Sequence, residues 1–220
     1  KLTLEGPIVN DKVSFIISAR RTYADILLNA FQGTTNDAIY GDGENDNGYE
    51  SKGYGTTGGY YFYDLNAKLN YKISNKDRIY LSGYFGDDIF DLNFTGSGSN
   101  FLEVEQFDFG LGWGNKTGTL RWNHLFTEKL FSNTTFTYSR YAFDIAQGFS
   151  SGDYNMSFGY ISGLRDFGGR IDLEFSPNPN HSLKFGASYT YHDFFPGQLD
   201  LDFQYPNATV GEAIDIDTLF

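Results

Sequence analysis

Cysteine is absent from this chain, and histidine nearly so. His124, His181 and His192 lie on separate segments and form neither an H-x-x-x-H nor an H-E-x-x-H pair. There is no G-x-S-x-G elbow. Serine, cysteine and metal-dependent hydrolase chemistry therefore have no recognisable residues, and the chain reads as a non-enzyme. Long apolar runs are missing too. No stretch reaches the roughly 18 residues of a membrane-crossing helix, and Ile26–Phe31 is far too short. Positive charge is scarce, with 16 Lys and Arg against 28 Asp and Glu and a net charge of −12. That balance argues against a nucleic-acid partner, which needs basic patches. No sequence repeat of about 20–50 residues is visible.

What the chain has is glycine, aromatics and alternation. It holds 26 Gly, 17 Tyr and 22 Phe, and 19% of its residues are aromatic. In 61–73, Tyr61, Tyr63, Leu65, Ala67, Leu69, Tyr71 and Ile73 alternate with Asp64, Asn66, Lys68, Asn70 and Lys72. A strand sends successive side chains to opposite faces, so one face is apolar and the other polar. The same pattern recurs. Ile79, Leu81, Gly83 and Phe85 alternate with Arg78, Tyr80, Ser82 and Tyr84. Ile171, Leu173 and Phe175 alternate with Arg170, Asp172 and Glu174, and Leu183, Phe185, Ala187, Tyr189 and Tyr191 with Lys184, Gly186, Ser188, Thr190 and His192. A dry core would have to satisfy every one of those charges, whereas a water-filled lumen would not. The mean hydropathy of −0.40 fits, because lumen residues cancel lipid residues in any window.

The pattern predicts an all-β fold: an antiparallel transmembrane β-barrel segment of about eight strands. The strands are expected near 1–6, 13–22, 60–73, 78–87, 107–126, 130–144, 155–176 and 182–194. Short connections at 7–12, 74–77, 127–129 and 177–181 alternate with long ones at 22–59, 87–106, 146–153 and 195 onward. Short periplasmic turns and long extracellular loops produce that alternation. The chain is expected to form one domain over 1–220, with 195–220 as loop. A change of phase in the fifth strand, where Phe107, Phe109, Leu111 and Trp113 are odd but Leu120 and Trp122 even, predicts a bulge among Gly110, Gly112, Gly114 and Gly118. The glycine-rich seventh strand is expected to be interrupted as well. A short helix is expected over 23–32.

Candidate site residues follow from the faces. Tyr63, Leu65, Leu69, Leu81, Leu173, Phe185 and Tyr189 are expected on a convex lipid face. Arg20, Lys68, Arg170, Asp172, Glu174 and Lys184 are expected to face the lumen, and Arg121 and Arg165 belong with these inward charges. Inward arginines can contact a plug or an anionic solute, or simply pair with nearby carboxylates. Asp42, Glu44 and Asp46, at spacing two, can converge on Ca²⁺ in an extracellular loop. No other cofactor is expected. The G-Y-G-T-T-G of 53–58 matches a dinucleotide fingerprint only in letters, since a strand rather than a helix is expected to follow it.

Four stretches then resemble a known family: LTLEGPIVNDKVSFIISARRTY, YYFYDLNAKLNYKISNKDRIYLSGYFGDD, GWGNKTGTLRWNHLFTEKLFSNTTFTYSRY and PNPNHSLKFGASYTYHDFFPG. They are similar to the barrel of TonB-dependent outer-membrane receptors, in the branch with an N-terminal carboxypeptidase-regulatory-like domain. The resemblance spans nearly all of 1–197. It implies active import of a scarce solute through a plug-gated barrel in the bacterial outer membrane. The partners it implies are outer-membrane lipid, the TonB complex through an N-terminal part outside this chain, an unnamed solute and a surface lipoprotein. Such a barrel has about 22 strands, so the eight read here are expected to be a piece of it. Two other readings stay open: a small self-contained outer-membrane barrel with a structural or adhesive role, and a soluble glycan-binding β-sandwich.

Overall fold

Alternation becomes strand throughout the computed structural model, which describes residues 1–24, 26, 55–96, 105–205 and 208–210. The strands are β1 (Leu2–Val9), β2 (Val13–Arg21), β3 (Gly55–Lys72), β4 (Asp77–Thr95), β5 (Gln106–Thr127), β6 (Leu130–Ser151), β7 (Tyr154–Asn178), β8 (His181–Tyr205) and the short β9 (Ala208–Val210). They form one antiparallel sheet in chain order, from β1 to β9. The fold is all-β, as the sequence pattern predicts. Each strand touches only its sheet neighbours, and no ladder joins the first strand to the last among the described residues. No second layer covers the sheet there, and Ile161 is the only buried apolar residue described.

The turns at one end are tight, and each has a local cause. Lys12 N–H donates to the Val9 carbonyl at 3.1 Å, and Asp11 takes the left-handed conformation (φ 59°) that Asp tolerates. Ser74 Oγ accepts from the amides of Lys76 and Asp77, each at 3.0 Å, and donates to Asp77 Oδ2 at 2.8 Å. Asn178 Oδ1 accepts from the Asn180 amide at 3.1 Å. Thr127 Oγ1 accepts from the Lys129 amide at 3.2 Å. In an up-and-down sheet these four turns share one end, here called the turn end.

The strands run further from the turn end than the apolar pattern suggests. β7 and β8 each have 25 residues, about 80 Å at a strand's rise per residue. The connection expected over 146–153 shrinks to a two-residue turn with Gly152 at φ 58°, and residues 195–205 are strand rather than loop. The helix expected over 23–32 falls mostly outside the described residues.

Both expected irregularities are corrected. The β4–β5 register is unbroken from Asp77↔His124 to Thr95↔Gln106, so β5 has no bulge among its glycines. Against β6, β7 is regular along its length. The distal irregularity lies in β8, where Phe195 faces Gly163 and Gln198 faces Ile161. One extra residue is accommodated at Pro196 and Gly197. Proline cannot donate to a ladder, so a bulge suits it. Gly197 sits at φ 134°, and a Cβ there would collide with the Tyr160 ring. The Tyr160 hydroxyl donates to the Pro196 carbonyl at 2.8 Å and the Ser162 hydroxyl to the Phe195 carbonyl at 3.1 Å, which pins the bulge.

Candidate functional site

Register fixes which side chains share a face. Phe15, Leu69, Leu81, Leu120, Phe136, Gly169 and Tyr189 stand in one row across β2–β8. Tyr63, Leu65, Leu173 and Phe185 lie on the same side, so all seven expected apolar-face residues are together. On the opposite face, Lys68, Ser82, Thr119, Thr137, Gly168 and Thr190 form the neighbouring row. These sides are called the Leu69 face and the Lys68 face.

The six charged candidates all fall on the Lys68 face, but they gather as local pairs rather than one cluster. Arg20 Nε donates to Asp64 Oδ2 at 2.6 Å, and its guanidinium lies 4.7 Å from the Phe62 ring centroid. Lys68 Nζ stands 5.4 Å over the Tyr80 ring. The Arg170 guanidinium donates to both Asp172 oxygens at 2.8–3.0 Å. Lys184 Nζ is 3.3 Å from Glu174 Oε2. Arg170, Asp172, Glu174, Lys184 and Asn133 line a hollow of about 620 Å³. Arg121 shares this face, whereas Arg165 does not: it lies on the Leu69 face, bonded to Asp193 at 2.6 Å. Lys72 and Arg78 are directly opposite each other, and such a like pair is destabilising unless water screens it. The Oδ1 atoms of Asn70, Asn123 and Asn133, also here, have no protein donor. Over the turn half of the sheet this face is polar and charged.

Beyond Leu65, both faces exchange character within the same strands, without a break from β3 to β7 and through the bulge in β8. On the Lys68 face the row Tyr60, Phe90, Leu111, Ile145, Tyr160 and Leu199 follows. Next come Leu92, Phe109, Gln147, Phe158 and Leu201. Tyr60 stacks on Trp113 at 6.4 Å and donates its hydroxyl to Asp88 at 2.6 Å. Phe90 meets Phe109, and Phe143 meets Tyr160, edge to face at 6.0 and 6.4 Å. On the Leu69 face the row Tyr61, Ile89, Gly112, Asp144 and Ile161 is mixed, and the rows beyond it are polar or small: Gly59, Asp91, Gly110, Ala146, Gly159 and Asp200, then Asn93, Asp108, Gly148, Ser157 and Asp202. The phase change in β5 is this exchange and not a slip of register.

Aromatic residues with polar tips mark both ends of the apolar zone. At the turn end, Trp122 Nε1 donates to Asp77 Oδ1 at 3.2 Å, and His124 Nδ1 is 2.6 Å from the same oxygen. The His124 ring packs on Phe126 at 4.4 Å. These bonds, His124 first and then Ser74, hold the Asp77 carboxyl below its ordinary range. At the distal end Tyr63 donates to Asp87 Oδ2 at 2.8 Å. That bond, with desolvation and the Asp87 charge, pushes the phenol up to about 12.

Sequence reasoning missed the distal aromatic rows and the cations between the zones. Their signal, the second alternation in 107–113, is present but needs register to be read. Asp42, Glu44 and Asp46 lie outside the described residues, and no cluster of three or more potential metal ligands occurs among the described ones. Of 53–58, residues 55–58 open β3, so no helix follows the glycines.

No family model matches the chain, and no curated protein is similar to it. Among solved structures it resembles the CymD monoaromatic hydrocarbon channel, with 11% identity over 90% of this chain and 71% of that one and a TM-score of 0.29. Agreement that loose transfers no property from one chain to the other.

Proposed function

We propose that this sheet is part of an outer-membrane β-barrel that imports a solute, with the Leu69 face against lipid and the Lys68 face toward the lumen. The observation that carries the reading is the reversal of polarity along the Leu69 face. An apolar zone and an aqueous zone on one side of one sheet require two media, and a bilayer edge supplies both. Leu65–Ile73, Phe167–Phe175 and Leu183–Tyr191 each run about nine residues, the length a tilted strand needs to cross hydrocarbon. Aromatic residues flank the zone as they flank bilayers. The turn end is then periplasmic and the distal end extracellular.

The finer part of the proposal rests on the sequence phrases shared with TonB-dependent receptors. In that reading the chain is not an enzyme. Solute enters at the aromatic distal wall, a plug outside this chain moves, and the hydrated Lys68 face lines the path. Energy reaches the receptor through TonB, and a surface lipoprotein assists capture. Uptake by cells carrying the full-length gene is expected to need both TonB and the proton gradient. Equal uptake without TonB would make the barrel a passive pore or a structural element instead.

A further inference from the structure

Between the two zones of the Leu69 face lies a row of cations. Lys116 faces Arg140 across β5 and β6, and Arg140 faces Arg165 across β6 and β7. Three basic side chains thus stand side by side over about 10 Å, at two strand spacings. The row continues the level of Leu65 and Phe85, next to the row of Tyr63, Asp87, Gly114, Ala142 and Gly163, where carboxylates begin to appear on this face. Lys116 is exposed and lies 5.2 Å over the Phe85 ring, at the edge of the apolar zone. Arg165 keeps 42% of its side-chain surface exposed while bonded to Asp193. One step further out is Arg21, over the Tyr61 ring at 4.8 Å.

We infer that this row binds the phosphate groups of an anionic lipid in the outer leaflet. A cation ledge directly above an apolar wall matches a molecule with acyl chains below and phosphate above. Arginine presents a planar fork suited to phosphate oxygens, and lysine adds a point charge. A free phosphate could meet the cations but would not use the wall. The inference rests on the membrane reading of the Leu69 face, and its test separates the two.

The full-length protein would be reconstituted in phosphatidylcholine vesicles, with and without phosphatidylglycerol or lipopolysaccharide. Brominated acyl chains should quench Trp122, which lies on the Leu69 face away from the row. Retained lipid would be counted by native mass spectrometry after extraction. The wild type is expected to retain anionic over zwitterionic lipid. Lys116→Gln with Arg140→Gln should lower that preference at least fivefold, Arg140→Lys should largely keep it, and Arg170→Gln on the other face should leave it unchanged. Inorganic phosphate at equal concentration should not displace the lipid; displacement would show a site for free phosphate and overturn the assignment. Trp122 quenched with no anionic preference would overturn the row alone. Trp122 unquenched in every lipid would overturn the membrane reading and the row with it.

Discussion

Lys68 and Tyr60 point to the same side of the same strand, yet they live among different neighbours. Lys68 stands in a row with Ser82, Thr119 and Thr137, Tyr60 in a row with Phe90, Leu111 and Ile145. On the reverse side the contrast runs the other way, Leu69 with Leu81 and Leu120, and Gly59 with Asp91 and Gly110. A β-sandwich keeps one face dry along the whole strand. Here each face is dry for only part of its length, and the dry parts are on opposite sides. From β3 to β7 the backbone ladder is continuous across the change, so there the side chains are answering to surroundings and not to local structure, while β8 makes the change through its bulge. In the proposed reading, what differs between the halves is the medium on each side of the sheet.

The comparison breaks most readily by placing a charge on the Leu69 face in each half. Leu69→Arg should cost roughly 2–4 kcal/mol if the residue lies near the bilayer midplane. Ala146→Arg, on the same face in the distal half, should cost about 0–1 kcal/mol, as near an interface. Unfolding by denaturant in lipid vesicles measures both. Equal losses would mean that the two halves share one medium.

The β8 bulge is the next largest lever, because it keeps Leu199 and Leu201 on the Lys68 face with Tyr160 and Phe158. Gly197→Ala forces a side chain into a rarely allowed conformation and against the Tyr160 ring. The expected loss is of order 1–3 kcal/mol. Tyr160→Phe removes only the hydroxyl bond to Pro196 and should cost about 1 kcal/mol. If Gly197→Ala costs no more than Tyr160→Phe, the bulge is not held by backbone conformation.

The turn half was legible in the sequence for a physical reason. An apolar face and a polar face impose period two on residues such as Leu65–Ile73, and period two is visible without a partner strand. From β3 to β7 the distal half obeys the same period in the opposite phase, and in β8 the phase is kept while the bulge changes the face. At Trp113 and Leu120 the two phases meet, and a bulge is the ordinary way for a strand to switch. Only the unbroken pairing of Asp88 with Trp113 and Leu81 with Leu120 shows that the strand continues. The real bulge had its own mark, the Pro196–Gly197 dipeptide, which also serves as a loop signal and sat where a loop was expected. Lys68, Arg170, Asp172, Glu174 and Lys184 were readable as one face from parity alone. Arg165 was not: in the interrupted strand expected there its parity carried no weight, and its place beside Arg140 depends on pairing. Lys116, Arg140 and Arg165 lie on three strands, and nothing local in the sequence joins them.

The smallest expected effect lies at the turn end, where Asp77 ties Trp122, His124 and Ser74 together. Asp77 is held below its ordinary carboxylate range, first by the His124 bond and then by Ser74. A lowered folded-state value means that the ionised form is favoured by folding. The stabilisation is therefore present above the unfolded value of about 4 and is lost as pH falls through the lower folded value. Because the carboxyl is only half-buried at the edge of the sheet, solvent screens the pair and the change should be slight. Thermal unfolding in detergent micelles, followed from pH 6 down to pH 3, should show a shallow loss of stability that Asp77→Asn removes. The distal half offers the control. There Tyr63 is raised through Asp87, which favours the neutral phenol, so its contribution is intact below about pH 10 and lost only as pH rises toward 12. Asp87→Asn should therefore flatten the alkaline limb and leave the acid limb alone. If Asp87→Asn altered the acid limb as Asp77→Asn does, the two aromatic girdles would not be independent, and the division of the sheet into separately anchored halves would fail.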